Sequence, residues 1–544
     1  MNLLQRSYWP ADTAEPVLET TVGSILREAA CAAGERTAVA AWGQSPGERR
    51  VWTYSDLLRD AERTAYALLT RFEPGEHIAV YASNLAEWVL LELGAGLAGL
   101  VLVTVNPAYR ARELEYVLRQ SRSVGLFHVD GLRGNPMAEW VAEVRPGLPG
   151  LREVVRFEDW DGFVESGPAG VDFPMVTPDD AAQIQYTSGT TGSPKGALLH
   201  HRGLTNNARF FAHLSGLGSG DVYGHAMPFF HTAGCVLATL GSIQAQATHA
   251  FLPAFEPGRM LELLERERAT LMLGVPTMLI AMLEHPEFGK RDLSSVRTAA
   301  SGGASVPPEV VRSIESRLGA SFCIVYGQTE ASPLITQTRP GDTPEDKACT
   351  VGQPFPQTEV KIADPTTAEP VPVGTVGELC ARGYLVMNEY FDKPGATASA
   401  IDADGWLHTG DLGTMDERGY CRITGRLKDM VIRGGENMFP AEIEAVLIEH
   451  PAVLEAAVIG VPDHRMGEEL AAFVRVSGEP PDVEQLRAHV RGRLAAPKAP
   501  RYWVFLEEFP LTGSGKIQKF VLRARWDAGG FEAIDAVGNR SARS

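Results

Sequence analysis

The chain has 544 residues, which exceeds the length that a single hydrophobic core usually organises, so we expect at least two domains. Hydrophobic residues make up 44% of the chain and charged residues 22%, a globular composition that excludes extensive disorder. The formal net charge of −18 argues against nucleic acid or an anionic membrane as partner, although a few local cations suffice to bind a polyanionic ligand.

Cysteine spacing and the amino-terminal sequence both favour a cytoplasmic protein. The six cysteines are scattered without a CxxC pair, which fits neither a zinc site nor a disulfide scaffold and predicts buried thiols in a reducing compartment. The segment MNLLQRSYWPADTAEP lacks the apolar core of a signal peptide. The most lipid-like run, Val89–Val105, is short and contains Glu92, so we expect a buried helix and strand there and no transmembrane segment.

In chain order, strand-like apolar runs alternate with helical segments. We expect a strand at 77–84, a helix at 86–99 and a strand at 101–107, with similar helix–strand pairs ending at 270–276 and 322–327. Strand–helix–strand repetition with buried strands implies parallel sheets covered on both faces. In such folds ligands bind beyond the carboxyl ends of the strands. The predicted fold class is therefore α/β.

The character of the sequence changes near residue 350, where short alternating strands and Pro/Gly turns predict a small β-rich subdomain. Helix and strand patterns beyond residue 430 predict a compact α+β domain of ordinary size. We predict a large N-terminal domain over residues 1–427, a mobile C-terminal domain over 428–530, and a flexible tail over 531–544.

A small polar loop, YTSGTTGSPKG at 186–196, follows a strand-like segment. Its glycines permit close backbone approach to a ligand, its hydroxyls are donors, and its lysine offers a charge suited to phosphate. The residues with these properties are Thr187, Ser188, Gly189, Thr190, Thr191, Gly192 and Lys195. The loop lacks the GK[ST] ending of a Walker loop, and alone it fits either a surface linker or a phosphate-binding loop.

Seven further motifs follow this loop in order, and together they resemble the adenylate-forming superfamily of acyl-CoA synthetases, nonribosomal-peptide adenylation domains and beetle luciferases. These motifs are FFHTAG (229–234), SGGA (301–304), YGQTE (326–330), HTGDLG (408–413), GRLKD (425–429), RGGEN (433–437) and LTGSGK (511–516). RGGENMFPAEIE and YGQTEASP narrow the resemblance to bacterial fatty-acid-type acyl-CoA synthetases. Because these motifs occur together with the loop, the resemblance implies that the loop binds phosphate and that residues 1–427 are the AMP-binding (adenylation) domain.

The resemblance implies a nucleotide site built from several of these motifs. Tyr326 would pack on adenine, Thr329 would contact the α-phosphate, and Asp411 would accept the ribose hydroxyls with help from Arg426. Further implied nucleotide-binding residues are Gly302, Gly303, Ala304, Gly327 and Gln328. The implied Mg²⁺ ligands are Glu330 and Thr187, oxygen donors of the kind that this hard cation prefers. An exposed loop acid for Glu330 and a turn former for Asp411 are the alternatives.

The resemblance also assigns roles near the end of the chain. Lys516 would bridge the substrate carboxylate and ATP, where a positioned cation stabilises developing negative charge. Lys428 would be the hinge about which the small domain rotates between half-reactions. Gly434, Gly435 and Glu436 would bind coenzyme A. Plain solvated lysines are the alternatives for Lys516 and Lys428.

His231 occupies the position where amino-acid-activating members carry Asp, so an α-amino-acid substrate is disfavoured. The acyl pocket implied by resemblance comprises His231, Cys235, Val236, Val275, Thr277, Met278, Gly303, Gly327 and Ser332. Apolar neighbours such as Phe229, Phe230 and Met278 favour a medium- or long-chain fatty acid over an aryl acid. A hydrogen-bonded core histidine is the alternative for His231.

The implied activity is a two-step ligation by an acid–thiol ligase. A carboxylic acid and MgATP give acyl-adenylate and pyrophosphate, and coenzyme A then gives the thioester and AMP. The implied catalytic residues are Lys516, Thr329, Glu330 and His231, the cofactors are ATP, Mg²⁺ and coenzyme A, and we expect a monomer or homodimer. Three alternatives are transfer to an acyl carrier protein, a luciferase-like oxygenation that no residue favours, and a non-catalytic nucleotide sensor.

Overall fold

The computed structural model describes residues 3–45, 47–167, 170, 172–187, 194–304, 306–434, 436–511 and 517–535. Several predictions fall outside these described residues: Ser188, Gly189, Thr190, Thr191 and Gly192 of the phosphate-loop candidate, Gly435, Lys516, and the tail beyond residue 535. These stay predictions.

Up to residue 354, strands and helices mostly alternate, as the sequence predicts, but β2 leads directly to β3 and β8 to β9. The strands are β1 (Tyr8–Trp9), β2 (Thr37–Trp42), β3 (Arg49–Thr53), β4 (His77–Tyr81), β5 (Val101–Thr104), β6 (Gly125–His128), β7 (Glu153–Arg156), β8 (Ala181–Thr187), β9 (Lys195–His200), β10 (Val222–His225), β11 (Thr248–Phe251), β12 (Leu271–Leu273), β13 (Thr298–Gly302), β14 (Ser321–Gly327), β15 (Leu334–Gln337) and β16 (Gln353–Pro354). The helices are α1 (Val22–Ala33), α2 (Tyr54–Leu69), α3 (Ala86–Ala98), α4 (Ala111–Gln120), α5 (Met137–Val144), α6 (Trp160–Glu165), α7 (His201–Leu214), α8 (Gly241–Ala245), α9 (Pro257–Arg266), α10 (Pro276–Glu284), α11 (Pro308–Leu318) and α12 (Pro344–Cys349). A π-helix spans Ala233–Leu240.

Two large sheets organise these elements. A nine-stranded sheet has the order β16-β15-β14-β13-β12-β10-β11-β2-β3, and its inner strands are parallel. A seven-stranded sheet also incorporates β19 (Glu389–Tyr390), in the order β19-β9-β8-β5-β4-β6-β7. Parallel β4, β5, β6 and β8 form its centre, whereas β9 returns antiparallel to β8. The predicted α/β fold with parallel sheets is confirmed.

The predicted small β-rich subdomain is an antiparallel sheet of the order β1-β17-β18-β20-β21. Its elements after residue 354 are β17 (Thr358–Ala363), β18 (Gly377–Gly383), α13 (Pro394–Ala400), β20 (Leu407–Met415) and β21 (Cys421–Arg426). Strand β1 joins this sheet from the amino terminus, with Tyr8 opposite Lys361. The sequence pattern gave no indication of that long-range pairing.

The C-terminal region forms its own sheet and core. Its elements are β22 (Val431–Arg433), β23 (Glu436–Met438), α14 (Pro440–Ile448), β24 (Val453–Asp463), β25 (Gly467–Val476), α15 (Val483–Arg491), β26 (Tyr502–Phe505), α16 (Lys519–Asp527) and β27 (Ile534–Asp535). Buried Ile443, Leu470 and Trp503 pack in one cluster of this region. A single turn of 3-10 helix, Leu427–Asp429, connects β21 to β22, so the proposed domain boundary falls on a turn.

The apolar run Val89–Val105 forms most of α3 and all of β5, as expected. Every α3 residue from Trp88 to Ala98 is buried, which explains why the helix is apolar on all sides. Among the described residues, none of the helices has the length and apolarity needed to cross a membrane. All six cysteines are free thiols, but only Cys235, Cys323, Cys380 and Cys421 are buried; Cys31 is exposed and Cys349 half-buried.

Candidate active site

The phosphate-loop candidate connects the antiparallel strands β8 and β9. Thr187 lies opposite Lys195, and its hydroxyl donates to the Lys195 carbonyl at 3.4 Å. The Tyr116 hydroxyl donates to the carbonyl of Pro194 at 2.9 Å, which ties the same end of the loop to α4. A Cβ at Gly196 would lie 2.7 Å from Ile184, so close packing requires glycine there. Both ends of the loop are therefore held by the sheet.

Two neighbouring parallel strands, β13 and β14, deliver the predicted adenine-binding residues to one sheet edge. A Cβ at Gly302 would lie 2.3 Å from the Val325 carbonyl oxygen, and one at Gly327 would lie 2.0 Å from the Pro333 carbonyl oxygen. Only glycine fits at either position. Gly303 follows with φ of +77° and, like Ala304, is exposed. An open surface thus lies at the carboxyl ends of these strands, where ligands of α/β proteins bind.

Three predicted nucleotide-binding residues meet at Asp411. The Tyr326 hydroxyl donates to Oδ2 of Asp411 at 2.9 Å, and Nε of Arg426 lies 3.0 Å from Oδ1. Asp411 and Arg426 face each other in the pairing of β20 with β21. Burial and then the Asp411 carboxylate raise the pKa of Tyr326, so its hydroxyl stays protonated and donates. Asp411 is 6% exposed, and this contact network excludes its alternative interpretation as a simple turn former.

The turn before Asp411 is held by Glu378, a residue that the sequence did not indicate. Oε1 of Glu378 accepts the N–H of Gly410 at 3.0 Å, and Oε2 lies 2.8 Å from Nδ1 of His408. Gly410 has φ of +69°, which favours glycine. The ligand atoms of Glu378, His408 and Cys380 lie within 4.8 Å of one another. Oε1 of Glu378 already accepts from Gly410 and Oε2 already contacts His408. We therefore interpret this group as structural support for the turn and not as a metal site.

The predicted metal ligand Glu330 lies in the turn Thr329–Ala331 that follows β14, and it is 8% exposed. The Tyr390 hydroxyl donates to its Oε1 at 2.6 Å. Nζ of Lys195 lies 4.8 Å from the centroid of the same tyrosine ring. Burial and then the Glu330 carboxylate raise the pKa of Tyr390, which therefore acts as the donor. The structure thus brings Lys195 and Glu330 together around a residue that sequence reasoning did not single out.

The residues of the predicted acyl pocket divide between two apolar clusters. Cys235 and Val236, on the π-helix, are completely buried in the cluster that includes α3. Val275 and Met278 are half-buried and pack against a second cluster that contains Leu237 on the same π-helix. Other members differ in exposure: Thr277 is exposed, Gly327 half-buried and Ser332 fully buried.

His231 is exposed at the start of the π-helix segment, so its alternative interpretation as a core histidine is wrong. Its Nδ1 accepts the N–H of Ala233 at 3.2 Å, and its carbonyl accepts the N–H of Gly234 at 2.9 Å. These local bonds fix the histidine at the point where the FFHTAG loop becomes helical.

A row of buried, hydrogen-bonded polar side chains lies behind this loop, and the sequence did not indicate it. Nε2 of Gln185 donates to Oε1 of Gln183 at 2.7 Å and approaches Sγ of Cys235 at 3.1 Å. Nε2 of Gln183 donates to Oε1 of Glu92 at 2.8 Å. Burial raises the pKa of Glu92 and, with Glu92, that of Cys235, so the thiol is not poised as a nucleophile. This agrees with a mechanism that needs no nucleophilic cysteine.

The predicted hinge and coenzyme A residues lie in the C-terminal region. Lys428, in the turn Leu427–Asp429, is exposed and lies two residues after Arg426. The N–H of Gly434 donates to the Met466 carbonyl at 2.8 Å, and φ of +59° favours glycine. Glu436 is exposed in β23. Within the described part of the chain, no hydrogen bond or ion pair joins these residues to Asp411.

The chain is similar to known enzymes over most of its length. The AMP-binding enzyme family matches residues 26–391, and the AMP-binding enzyme C-terminal domain matches residues 442–516. YngI of Bacillus subtilis (strain 168), which carries the provisional name of an acyl-CoA synthetase, is 41% identical over 539 residues, covering 94% of this chain and 97% of its own length. The mitochondrial medium-chain acyl-CoA ligase ACSF2 of Rattus norvegicus is 37% identical over 509 residues, covering 87% and 83% respectively.

Solved structures with the same architecture are also similar in sequence. ATP-bound MatB from Rhodopseudomonas palustris matches with a TM-score of 0.85 at 30% identity, over 94% of this chain and 99% of MatB. The anthranilate CoA ligase AuaEII, in complex with anthranoyl-AMP, matches with a TM-score of 0.84 at 26% identity, over 94% of this chain and 98% of AuaEII. The predicted architecture, a large α/β N-terminal domain and a small C-terminal domain, is confirmed.

Proposed function

The chain belongs to the AMP-binding enzyme family as an AMP-forming acyl-CoA synthetase, and we propose that its substrate is a medium- or long-chain fatty acid. In the first half-reaction a carboxylate oxygen attacks the α-phosphorus of ATP and pyrophosphate leaves. In the second, the sulfur of coenzyme A attacks the acyl carbon of the adenylate and AMP leaves. The first step replaces a poor electrophile by a mixed anhydride with a good leaving group.

The observation that carries the nucleotide assignment is the cluster at Asp411. A buried carboxylate fixed by Tyr326 and Arg426 is a pre-oriented acceptor for two vicinal hydroxyls, which is the chemistry of a ribose. We propose that adenine lies at the open surface beside exposed Gly303 and Ala304, directly after buried Gly302 at the same strand ends.

At the phosphate end, we propose that Lys195 binds the β- and γ-phosphates and that Thr329 contacts the α-phosphate. Lys195 offers a point charge at the start of β9, where the loop ends, and Thr329 starts the turn that carries Glu330. Lys516 is proposed to stabilise the charge that develops when the carboxylate attacks. Its replacement by alanine should stop adenylate formation but spare thioester formation from supplied acyl-adenylate.

The residues present fit a magnesium ion. Oε1 of Glu330 accepts from Tyr390, and Oε2 has no hydrogen-bond partner among the described residues, so one hard oxygen remains for a cation. Glu330 and the Thr187 hydroxyl are the proposed holders of Mg²⁺. Mg²⁺ bound with ATP would supply positive charge that neutralises the phosphates, and Glu330 and Thr187 would hold it beside them.

The fatty acid is favoured by the apolar surroundings of the predicted pocket. Val275 and Met278 pack against a cluster of apolar side chains, which suits a hydrocarbon tail. The name of ACSF2 points to medium-chain acids, while that of AuaEII points to anthranilate, so an aryl acid is the second candidate. Transfer to a carrier protein is the third. For the location, a cytoplasmic compartment is supported by the six free thiols.

The test is pyrophosphate release measured against acids of varied length and aromaticity, with and without coenzyme A. We expect acid-dependent release that is greatest with medium- or long-chain fatty acids, and acyl-CoA formation when coenzyme A is added. Greater activity with aryl acids would replace the proposed substrate. Acyl transfer to a carrier protein but not to coenzyme A would overturn the proposed acceptor.

A further inference from the structure

The segment 386–391 runs between the Glu330 turn and strand β9. Its main-chain N–H groups at Met387, Asn388 and Phe391 donate to the carbonyls of Glu330, Leu198 and Gly196, at 2.9, 2.9 and 2.8 Å. These bonds fix the segment on both sides without any side chain. The position of Tyr390 within the segment therefore does not depend on its own hydroxyl group.

Strand pairing directs the Tyr390 ring toward Lys195. Tyr390 lies opposite Ala197 in the antiparallel pair of β19 with β9, and Lys195 lies two residues earlier on the same face of β9. Diagonal neighbours of this kind are within reach of long and aromatic side chains. Nζ of Lys195 accordingly lies 4.8 Å from the ring centroid, while the hydroxyl at the ring edge bonds to Glu330 at 2.6 Å. The tyrosine is 8% exposed.

One aromatic ring thus contacts two opposite charges. Within the described part of the chain, no ion pair joins Lys195 to a carboxylate, and Glu330 has none with a cation. A direct pair between the two would satisfy both charges inside the protein. A phosphate would then have to displace Glu330 from Lys195, and a metal ion would have to displace Lys195 from Glu330.

We propose that Tyr390 is a positioning residue that keeps Lys195 and Glu330 apart and oriented for a magnesium nucleotide. Its hydroxyl holds Oε1 of Glu330 and leaves Oε2 toward the cation, while its ring face carries the Lys195 ammonium. The proposal rests on the proposed function, in which Glu330 holds Mg²⁺ and Lys195 binds phosphate. Hydrogen bonds that orient metal-binding side chains typically matter about tenfold or more for metal affinity.

The first test is Tyr390→Phe, which removes the hydroxyl and keeps the ring. Binding of Mn²⁺, used in place of Mg²⁺, is measured by electron paramagnetic resonance in the presence of α,β-methylene-ATP. We expect the Kd of Mn²⁺ to rise about tenfold. The matched control is Tyr420→Phe, because the Tyr420 hydroxyl donates to Oδ1 of Asp342 at 2.8 Å, outside the candidate site. The control should bind Mn²⁺ as the wild type does.

The second variant, Tyr390→Leu, removes the ring as well. We expect Lys195 and Glu330 to approach each other, so this variant should also bind α,β-methylene-ATP more weakly in the absence of any divalent cation. Tyr390→Phe should bind the metal-free nucleotide as the wild type does, because its ring still separates the charges. A merely structural role would weaken both measurements in parallel with thermal stability.

The proposal is overturned if Tyr390→Phe binds Mn²⁺ with the affinity of the wild type, or if both variants lose affinity only in proportion to their loss of folded protein. Failure of the proposed function has a different signature. A wild-type chain that binds Mn²⁺ and nucleotide but releases no pyrophosphate with any acid would contradict the synthetase assignment, while the comparison of Tyr390 variants would still stand on its own.

Discussion

Asp411 and Glu330 are two buried carboxylates of the candidate site, and their surroundings agree in two respects. Asp411 is 6% exposed and Glu330 is 8% exposed. Each accepts a hydrogen bond from a tyrosine hydroxyl, Asp411 from Tyr326 at 2.9 Å and Glu330 from Tyr390 at 2.6 Å. Burial raises the pKa of both tyrosines, so both remain donors.

The two carboxylates differ in how their charge is balanced. Asp411 faces Arg426 at 3.0 Å, whereas Glu330 has no ion pair with a described cation, and Lys195 packs on the ring of Tyr390. A buried charge without a counter-charge is costly and attracts a cation from solution. A buried carboxylate that is already paired with a cation, like Asp411, can instead accept hydrogen bonds from neutral hydroxyl groups. The difference supports the proposal that magnesium binds at Glu330 and ribose at Asp411.

The largest expected effect comes from removing the unbalanced charge. Glu330→Gln keeps an acceptor for Tyr390 but loses the anion, so we expect kcat to fall on the order of 1,000-fold and the Mg²⁺ requirement to rise. The measurement is acid-dependent pyrophosphate release at varied Mg²⁺ concentration. Asp411→Asn serves as the contrast, because it should weaken ATP binding without changing the half-saturating Mg²⁺. Equal Mg²⁺ dependence in the two variants would break the comparison.

The comparison of the two carboxylates requires a folded protein. Protonation of buried histidines lowers the stability of the fold in acid and so sets a lower pH limit. Burial lowers the pKa of His201 from 6.5 to about 4, and its Nδ1 accepts the N–H of Val22. The unfolded chain therefore binds this proton first as pH falls. The contribution of His201 to the free energy of unfolding is fully present above about pH 6.5. It is lost as pH falls toward 4, and the loss amounts to about 3 kcal/mol.

The measurement is the free energy of unfolding in urea between pH 7 and pH 4.5, for the wild type and His201→Gln. The variant should be less stable at pH 7, yet lose less stability on acidification. His225, whose pKa burial lowers to about 3, loses stability over the same pH range in both proteins, so it does not affect the difference between them. Identical pH slopes would show that His201 is not the group responsible.

A smaller effect is expected when the counter-charge of Asp411 is removed. Arg426→Ala leaves the carboxylate with Tyr326 alone and converts it toward the state of Glu330. Since the Arg426 side chain is 49% exposed, solvent screens part of the pair, and we expect the KM for ATP to rise about tenfold with a modest change in kcat. Arg426→Lys should restore part of the affinity. A change confined to kcat would argue against a ribose role.

The smallest expected effect is that of Tyr326→Phe. It removes one neutral donor while Arg426 still orients Asp411, so we expect the KM for ATP to rise about fivefold, equivalent to about 1 kcal/mol. Steady-state kinetics at saturating Mg²⁺ is the measurement. Tyr390→Phe should alter metal affinity, and Tyr326→Phe should not. If the two variants showed the opposite effects, the proposed roles of Glu330 in binding magnesium and of Asp411 in binding ribose would have to be exchanged.

Much of the fold was predictable because buried strands and amphipathic helices alternate with clear periodicity. The segments 77–84, 86–99 and 101–107 form β4, α3 and β5. The pairing of β1 with β17 was not, because a two-residue strand has no periodic pattern and its partner lies some 350 residues later.

The candidate site divides in the same way. Tyr326, Asp411 and Arg426 sit in motifs recognisable from the sequence, and the structure brings them into contact. Tyr390 has no such signal, since its role arises only when the short strand β19 pairs with β9 and directs the ring toward Lys195. Glu378 depends likewise on the pairing of β18 with β20. The exposure of His231 follows from where the π-helix begins, which residue types alone do not determine.

Oxygen transfer from the acid to AMP tests the synthetase assignment most directly. The fatty acid with the highest activity is supplied with both carboxylate oxygens as ¹⁸O, together with MgATP and coenzyme A, and the products are analysed by mass spectrometry. If the carboxylate attacks the α-phosphorus and coenzyme A then breaks the acyl carbon–oxygen bond, AMP gains one ¹⁸O and the acyl-CoA keeps the other. Unlabelled AMP, or ADP as the nucleotide product, would contradict it.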